Sequence, residues 1–253
     1  MPLLLLIFLI IPCSAADLER YDSLFIQASA ASYKHQYLVE PAREKLLSAG
    51  REAMPFLISK FTTNQPREYQ ALKDIFRKIK PELAAEFIAP ILRNKTRQTY
   101  NPATEFLGIA GGRQLASLLY PDLEHDSLWV RLAAIRSLGS MKDTTAEKLL
   151  AKQLTHNDYR VRWYTAAALG KIATEYALTN LFKVTGDSLQ LVKMTAYLYL
   201  KNNLKQLPDL KKKADTSSNL ILHRLAFLQN RQNYSDSTKF KSAEWRFISS
   251  NSD

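Results

Sequence analysis

Two histidines stand at positions where metal-binding chemistry has to be considered first. His125 and His156 occupy equivalent positions in successive units of a sequence repeat, with Asp126 after the first and Asn157 and Asp158 after the second. A zinc site needs three or four ligands at about 2 Å, whereas equivalent positions on packed helices lie about 10 Å apart. Asp and Asn at these corners are explained by capping of helix N-termini. We therefore expect neither a metal site nor a cofactor.

No residue pattern typical of an enzyme is present in the chain. The sequence contains no Gly-rich phosphate loop, no nucleophile elbow and no pair of histidines at helical i, i+4 spacing. Its carboxylates are scattered and mostly lie beside basic residues, as in Arg43-Glu44-Lys45. These patterns predict a non-catalytic protein. The alternative is an accessory factor or enzyme of envelope metabolism with an unrecognised active site.

Aromatic side chains interleaved with basic ones could stack nucleotide bases. The aromatic residues concerned are Tyr159, Trp163, Tyr164, Tyr176, Tyr197 and Tyr199, and they lie among Arg160, Arg162 and Lys183. Trp163 occupies the position that Leu132 and Met194 occupy one period away, which indicates packing rather than base stacking. We expect no nucleic-acid partner.

Internal repetition with a period of about 31 residues is the strongest structural signal. The series Val130, Arg131, Ala134, Leu138 and Gly139 is followed by Val161, Arg162, Thr165, Leu169 and Gly170, and then by Val192, Lys193, Ala196, Leu200 and Lys201. The apolar members lie on one helical face and are expected to be buried. Gly139 and Gly170 are expected to end their helices as left-handed caps.

A second helix keeps the same period. Phe87, Ile88, Pro90 and Leu92 align with Leu118, Leu119, Pro121 and Leu123, and then with Leu149, Leu150 and Leu154. Two helices in each short unit leave room only for tight turns between them. The sequence therefore predicts an all-α fold, an α-solenoid of about six 31-residue helix pairs.

The Val-Arg, Ala and Leu-Gly series resembles the HEAT repeat family, and its short period is similar to the HEAT-like repeats of the phycobilisome-lyase type. The resemblance covers residues 38–216 and implies an armadillo-like array. We expect a signal peptide at residues 1–16, an N-terminal capping helix at 17–37, and a C-terminal cap and tail at 217–253. Because fold does not imply function, the lyase label carries no activity over to this chain.

The resemblance also implies a ladder of charged side chains that holds neighbouring units in register. The expected pairs are Arg131 with Asp126 or Asp158, and Arg162 with Asp158 or Asp187, while Lys193 holds a weakened third position. Each unit of such an array contacts only its neighbours, so a contact at every junction has a structural role. These residues are expected to stabilise the fold and not to form a binding site.

A row of lysines is the candidate binding site. In HEAT arrays a groove is lined by the second helices, and the apolar stripe that includes Leu150 and Leu181 directs Lys148, Lys152 and Lys183 outward. Repeated ammonium groups suit an anionic partner, which is either an acidic protein or an anionic envelope polymer. The alternative is that these lysines only keep the surface soluble.

Composition favours a basic binding protein over a disordered or membrane-spanning one. The 253 residues are 46% hydrophobic and carry 35 basic and 24 acidic side chains, for a net charge of +11. A surface that basic attracts anionic partners. We therefore expect a binding scaffold whose partner is a protein or an anionic polymer, with no membrane span in the mature chain and with no indication of oligomeric state.

The first sixteen residues resemble a secretory signal peptide. Leu3–Ile11 is an apolar run too short to span a bilayer, and small residues follow at Ser14, Ala15 and Ala16. The only cysteine, Cys13, lies inside this segment, so the mature chain would have no disulfide. No Lys or Arg precedes the run, which leaves an uncleaved anchor or a misplaced start as alternatives. We expect export to the periplasm, with the extracellular space as the alternative.

We predict that the mature protein begins at Ala16 or Asp17, because the small residues after the apolar run fit signal peptidase cleavage. Intact mass measurement of natively exported protein checks this prediction. A mass that retains Met1 would contradict it.

Overall fold

The computed structural model describes residues 14–30, 35–94 and 98–203. Within these ranges the chain is all-α, as predicted. Residues 1–13 of the expected signal peptide and the expected C-terminal cap and tail lie outside the described residues. None of the described helices combines the length and the apolar character needed to cross a bilayer.

The helices follow one another with short connections. In chain order they are α1 (Ala15–Ala28), α2 (Gln36–Ser48), α3 (Met54–Ser59), α4 (Pro66–Phe76), α5 (Pro81–Arg93), α6 (Tyr100–Ala110), α7 (Leu128–Met141), α8 (Glu147–Gln153), α9 (Tyr159–Ile172), α10 (Glu175–Lys183) and α11 (Gln190–Asn203). Short 3-10 segments lie at Gly50–Ala53, Lys60–Thr62, Arg113–Leu119, Pro121–Glu124 and Val184–Gly186. Pro66 and Pro81 begin α4 and α5, where a missing N–H leaves no donor unpaired.

The helices stack into two layers. The first helices of successive units, α4, α6, α7, α9 and α11, each pack on the next one in the chain. The second elements, including α8 and α10, form the other layer and contact each other less extensively. Buried apolar side chains from both layers join into one continuous core. This arrangement confirms the predicted α-solenoid.

The four sides of helix α7 have different surroundings, and the sequence assigns a different residue type to each. Successive residues of an α-helix are rotated by about 100°, which places Ser137 and Gly139 on opposite flanks and Leu138 between them. Leu138 is fully buried in the core, Ser137 meets α6 and Gly139 meets α9. Trp129 and Arg136 lie on the remaining side, opposite Leu138, and this side faces away from the core.

The first helices approach each other closely because small residues stand at their contacts. A Cβ atom added at Gly108 would lie 2.6 Å from the Ser137 Cα, and one at Gly139 would lie 2.5 Å from the Ala168 Cα. At the next junction, Gly170 lies against the ring of Tyr199. These glycines are spaced by one repeat period, so the same close approach recurs along the stack.

The expectation that Gly139 and Gly170 form left-handed caps is wrong. Both lie inside their helices, and the left-handed residues that end α6, α7 and α9 are Gly111, Lys142 and Ala173, with φ of 80°, 54° and 58°. These caps are also spaced by one repeat period. At Gly139 and Gly170 a glycine is required because the neighbouring helix leaves no room for a Cβ atom, and not because φ is positive.

The second element of the unit after α6 is not an α-helix. It consists of the 3-10 segments Arg113–Leu119 and Pro121–Glu124, although Leu119 and Leu123 are buried as the period predicts. Pro90, which aligns with Pro121, lies inside the α-helix α5, so a proline at this position does not by itself account for the difference. The apolar period therefore identified the buried residues here but not the type of helix.

We expect Gly139→Ala to destabilise the fold by about 1–2 kcal/mol, because overpacking against Ala168 outweighs the gain of about 0.5–1 kcal/mol from replacing a helical glycine. Thermal unfolding followed by circular dichroism measures the change. Gly186→Ala is the matched control, since a Cβ there meets nothing within 4 Å and its φ is not positive. Equal melting temperatures for the two variants would contradict the close-contact explanation.

Candidate functional site

The junction between the units of α9 and α11 is held by Arg162. Its Nε and a terminal nitrogen donate to both carboxylate oxygens of Asp187, at 2.7 and 3.1 Å, and its other terminal nitrogen donates to the His156 carbonyl at 2.8 Å. The side chains of Arg162 and Asp187 are only 14% and 7% exposed. Burial alone would raise the pKa of Asp187, but hydrogen bonds from Arg162 and the Leu189 amide hold it below its usual value.

The preceding junction has a histidine where this one has a carboxylate. Arg131 donates to the His125 carbonyl at 2.8 Å and contacts the Nε2 atom of His156, which stands one repeat period before Asp187. Its expected partners, Asp126 and Asp158, are not the groups that it meets. The Asp158 amide donates to His156 Nδ1 at 3.0 Å, so both ring nitrogens face donors. A neutral imidazole has one acceptor nitrogen and satisfies only one of them.

The remaining ladder residues have separate local roles. Asp158 caps α9 by accepting from the Arg160 amide at 2.8 Å, and the Arg160 side chain is the main cause that lowers its pKa to about 2. Asp126 is exposed. Lys193 is half-buried on α11, where its charge also helps to lower the pKa of Asp187.

The histidines act as hydrogen-bond acceptors at the corners between units. His125 Nδ1 accepts from the Ser127 amide at 2.9 Å, two residues on, as His156 does in its own unit. Within the described part of the chain, no three His, Cys, Asp or Glu side chains come close enough together to bind a metal ion.

A cleft of about 240 Å³ opens on the outer side of the first-helix layer. We call it the Trp129 cleft. It is lined by residues of α4, α6, α7 and α9, namely Tyr69, Asn101, Pro102, Glu105, Trp129, Leu132, Ala133, Arg136 and Tyr164. Trp129 is 65% exposed and stands as an aromatic wall beside the opening. The cleft therefore combines aromatic surface with a few polar groups, as binding sites commonly do.

Glu105 organises one side of the Trp129 cleft. It accepts from the Tyr69 hydroxyl at 2.7 Å and from Arg136 at 2.7 Å, and the Lys73 ammonium lies 3.2 Å from it. Its side chain is only 15% exposed. Burial and then the hydrogen bond to Glu105 raise the pKa of Tyr69, so its hydroxyl stays a donor. The carboxylate is thus engaged by two cations and a phenol.

Arg136 forms the boundary between this cluster and the next unit. Its guanidinium carbon lies 5.6 Å above the ring of Tyr164, and its side chain is 39% exposed. One turn further along the stripe, Ser140 accepts a hydrogen bond of 3.3 Å from Lys171. Loss of solvation around its ammonium, and secondly the charge of Arg136, lower the pKa of Lys171. A second cation therefore lies one helical turn from Arg136, outside the residues that line the cleft.

The repeat pattern and the stacked geometry lead to one family. A family model for HEAT repeats matches residues 116–201, which include the Arg131 and Arg162 junctions. No curated protein gives a sequence match to the chain.

Several solved structures have a similar arrangement of helices. The CpcE and CpcF complex of phycocyanin lyase from Nostoc is 22% identical, with a TM-score of 0.46 over 67% of this chain and 73% of the other. Human deoxyhypusine hydroxylase in complex with glycerol is 13% identical, with a TM-score of 0.34 over 74% and 97%. A designed armadillo repeat protein in complex with the peptide (KR)4 is 16% identical, with a TM-score of 0.34 over 81% and 95%. At these identities the likeness is one of fold alone.

The lysines predicted as a binding row lie at the surface of the second elements. Lys148 and Lys152 on α8 and Lys183 on α10 are all exposed, and Lys183 donates to Asn180 at 2.9 Å. Within the described ranges, none of the three forms an ion pair with a carboxylate.

Sequence reasoning missed the Trp129 cleft altogether. Its residues come from four successive repeat units, and within each unit the outward stripe looks like ordinary helix surface. One signal was available, because Trp129 is large and apolar yet stands outside the buried apolar series of α7. Such a residue is a candidate for binding once its exposure is known.

We expect Arg162→Ala to destabilise the repeat array by about 1.5–3 kcal/mol, because it leaves the Asp187 carboxylate buried and unpaired. Because the pKa of Asp187 is lowered in the folded state, this contribution is present at neutral pH and is lost as acid protonates Asp187. Melting temperatures of parent and variant at neutral and acidic pH check both parts. A difference that is as large in acid as at neutral pH would assign the loss to packing of the side chain instead.

We expect His156→Asp to stabilise the fold by about 1 kcal/mol or more, because it gives Arg131 the same carboxylate partner that Arg162 has. In the next unit Asp187 accepts from Arg162 and, at 2.9 Å, from the Leu189 amide. The lone pairs of a carboxylate can satisfy both donors that now compete for His156. His156→Asn, which lacks the charge, serves as the control. A melting temperature for the Asp variant at or below that of the Asn variant would contradict this reading of the junction.

Proposed function

We propose that this HEAT repeat protein is a non-catalytic binding scaffold that recognises a partner protein through the outer side of its first helices. We call this surface the first-helix face and define it by the outward stripes of α6, α7, α9 and α11. The observation that carries the proposal is the exposure of large apolar side chains there. Trp129 is 65% exposed, Leu191 42% and Leu198 50%.

The composition of the first-helix face suits protein recognition. Aromatic residues and arginine supply most of the binding energy in protein interfaces. Trp129, Tyr164 and Arg136 line the cleft on this face, and Arg160 occupies the position on α9 that Trp129 occupies on α7. Trp163 is fixed by a hydrogen bond of 2.9 Å to Thr195 in the next unit and by its ring contact with Tyr164 at 4.7 Å. A surface already held in place loses little conformational entropy on binding.

The compartment is part of the proposal. The apolar run Leu3–Ile11 and the small residues after it support export, and the periplasm is the proposed location. A partner would then be an envelope or secreted protein. The net charge of +11 favours a partner with acidic surface.

The lysine row is the second candidate recognition surface. Lys148, Lys152 and Lys183 are exposed and, within the described residues, have no carboxylate partner. Their charges are therefore available to an anionic envelope polymer or an acidic protein. Such a contact would weaken as salt screens it.

The test places a photo-crosslinking amino acid at Leu198 on the first-helix face, and in a second variant at Lys152 on the second-helix side, in the full chain expressed in its own organism. We expect a discrete protein adduct from position 198 and none from position 152. Adding Trp129→Ala should reduce the adduct, because it removes exposed aromatic surface from the same face.

The variant Lys148→Gln, Lys152→Gln, Lys183→Gln is the matched control for surface changes, and it should leave the adduct from position 198 intact. An adduct formed only from position 152, and lost in this triple variant and at high salt, would move recognition to the lysine row. The absence of adducts from both positions would overturn the scaffold proposal.

A further inference from the structure

The Trp129 cleft contains groups whose binding capacity the fold does not use. The Asn101 side-chain oxygen is buried at the cleft and has no hydrogen-bond partner among the described residues. An amide oxygen left without a donor costs free energy, which a ligand N–H group would recover once the Asn101 side chain turns toward the cleft. The cleft therefore offers an acceptor to a ligand that carries a donor, such as a peptide backbone.

The charges that remain available at the cleft are positive. Glu105 is already engaged by Tyr69, Lys73 and Arg136. Arg136 donates to Glu105 through one terminal nitrogen, and a guanidinium has five N–H donors, so most of its capacity is unused among the described residues. Lys171 adds a second positive charge one turn away, next to Ser140. A carboxylate placed here would pair with Arg136 and relieve the repulsion between the two cations.

The size of the cleft limits what its apolar part can hold. Its volume of about 240 Å³ is below the range of about 300–1,000 Å³ typical of small-molecule and cofactor sites. It suits a single bulky side chain against Trp129, Leu132 and Tyr164. Trp129 is the wall with the most exposed surface left to cover.

We propose that the Trp129 cleft binds a peptide segment of the partner protein in which an acidic residue neighbours a bulky apolar one. The apolar side chain packs against Trp129 and Tyr164, the carboxylate pairs with Arg136, and a backbone N–H donates to Asn101. This inference rests on the proposed scaffold function and names the chemistry of its ligand.

The charge distribution argues against a basic peptide. A lysine or arginine side chain would need Glu105, whose carboxylate is 15% exposed and already has three donors, and it would approach Arg136 and Lys171. The cations and aromatic rings at this cleft are also groups that bind nucleic acid. However, a cleft with room for one side chain fits a peptide better than a strand of stacked bases.

The test pans a random peptide library displayed on phage against the immobilised full chain. We expect the enriched sequences to place Asp or Glu beside Trp, Phe or Leu. The consensus peptide is then synthesised, and its affinity is measured by fluorescence anisotropy. Replacing its acidic residue with the amide, or its apolar residue with Ala, should weaken binding about tenfold or more.

Variants of the chain locate the peptide on the surface. Arg136→Gln and Trp129→Ala should each weaken binding about tenfold, and Trp129→Ala keeps the test valid if Arg136→Gln loses stability, since Trp129 is largely exposed. Lys45→Gln, at an exposed position of α2 outside both candidate surfaces, is the control and should bind as the parent does. Full binding by both cleft variants would overturn the proposal.

Other outcomes also decide the proposal. Enrichment of Lys- and Arg-rich sequences, or failure to enrich any sequence, would overturn it. Displacement of the labelled consensus peptide by a single-stranded oligonucleotide at a lower concentration than the unlabelled consensus peptide requires would replace the peptide with nucleic acid as ligand. The Leu198 crosslink stands apart from these results: if it forms while the cleft variants bind normally, the scaffold function survives and only the cleft assignment fails.

Discussion

The close approach of the first helices is the constraint on which the rest of the structure depends. At Gly108 and Gly139 the neighbouring helix backbone occupies the space that a Cβ would take. Because this contact recurs with the period of the sequence repeat, the first helices form a dense layer with little freedom to slide. This close approach sets the distance between the outward sides of neighbouring first helices and the position of each junction.

The polar contacts at the junctions fix the register of neighbouring units. Arg162 binds both the corner of its own unit and the Asp187 carboxylate of the next, and Arg131 repeats the arrangement with His156. The two junctions are equivalent by position but not by chemistry, since a carboxylate offers more acceptor sites than a neutral imidazole. The two junctions therefore contribute different free energies to folding. This is possible because the stability of a repeat protein is approximately a sum over its units and their contacts with nearest neighbours.

A dense layer of this kind also explains why binding groups lie on its outer side. The flanks and inner side of α7 are committed to neighbours, so Trp129 and Arg136 can only project away from the core. Tyr69, Glu105 and Tyr164 come from adjacent helices held at fixed spacing, and their polar contacts position Arg136. The scaffold thus assembles one cleft from four helices, none of which carries a complete site.

The sequence alone determined the period, the all-α class and the buried series, because apolar residues at helical spacing must face a core wherever the chain folds. It could not determine what Gly139 was for, since a glycine near a helix end serves equally as a cap or a contact, and only the position of Ala168 distinguishes them. The sequence also could not determine the partner of Arg131, because Asp126 lies in its own unit, His156 and Asp158 lie at the start of the next, and the period does not choose among them. The Trp129 cleft belongs wholly to the tertiary structure: its residues are spread from Tyr69 to Tyr164, and their proximity depends on helix stacking that no local pattern encodes.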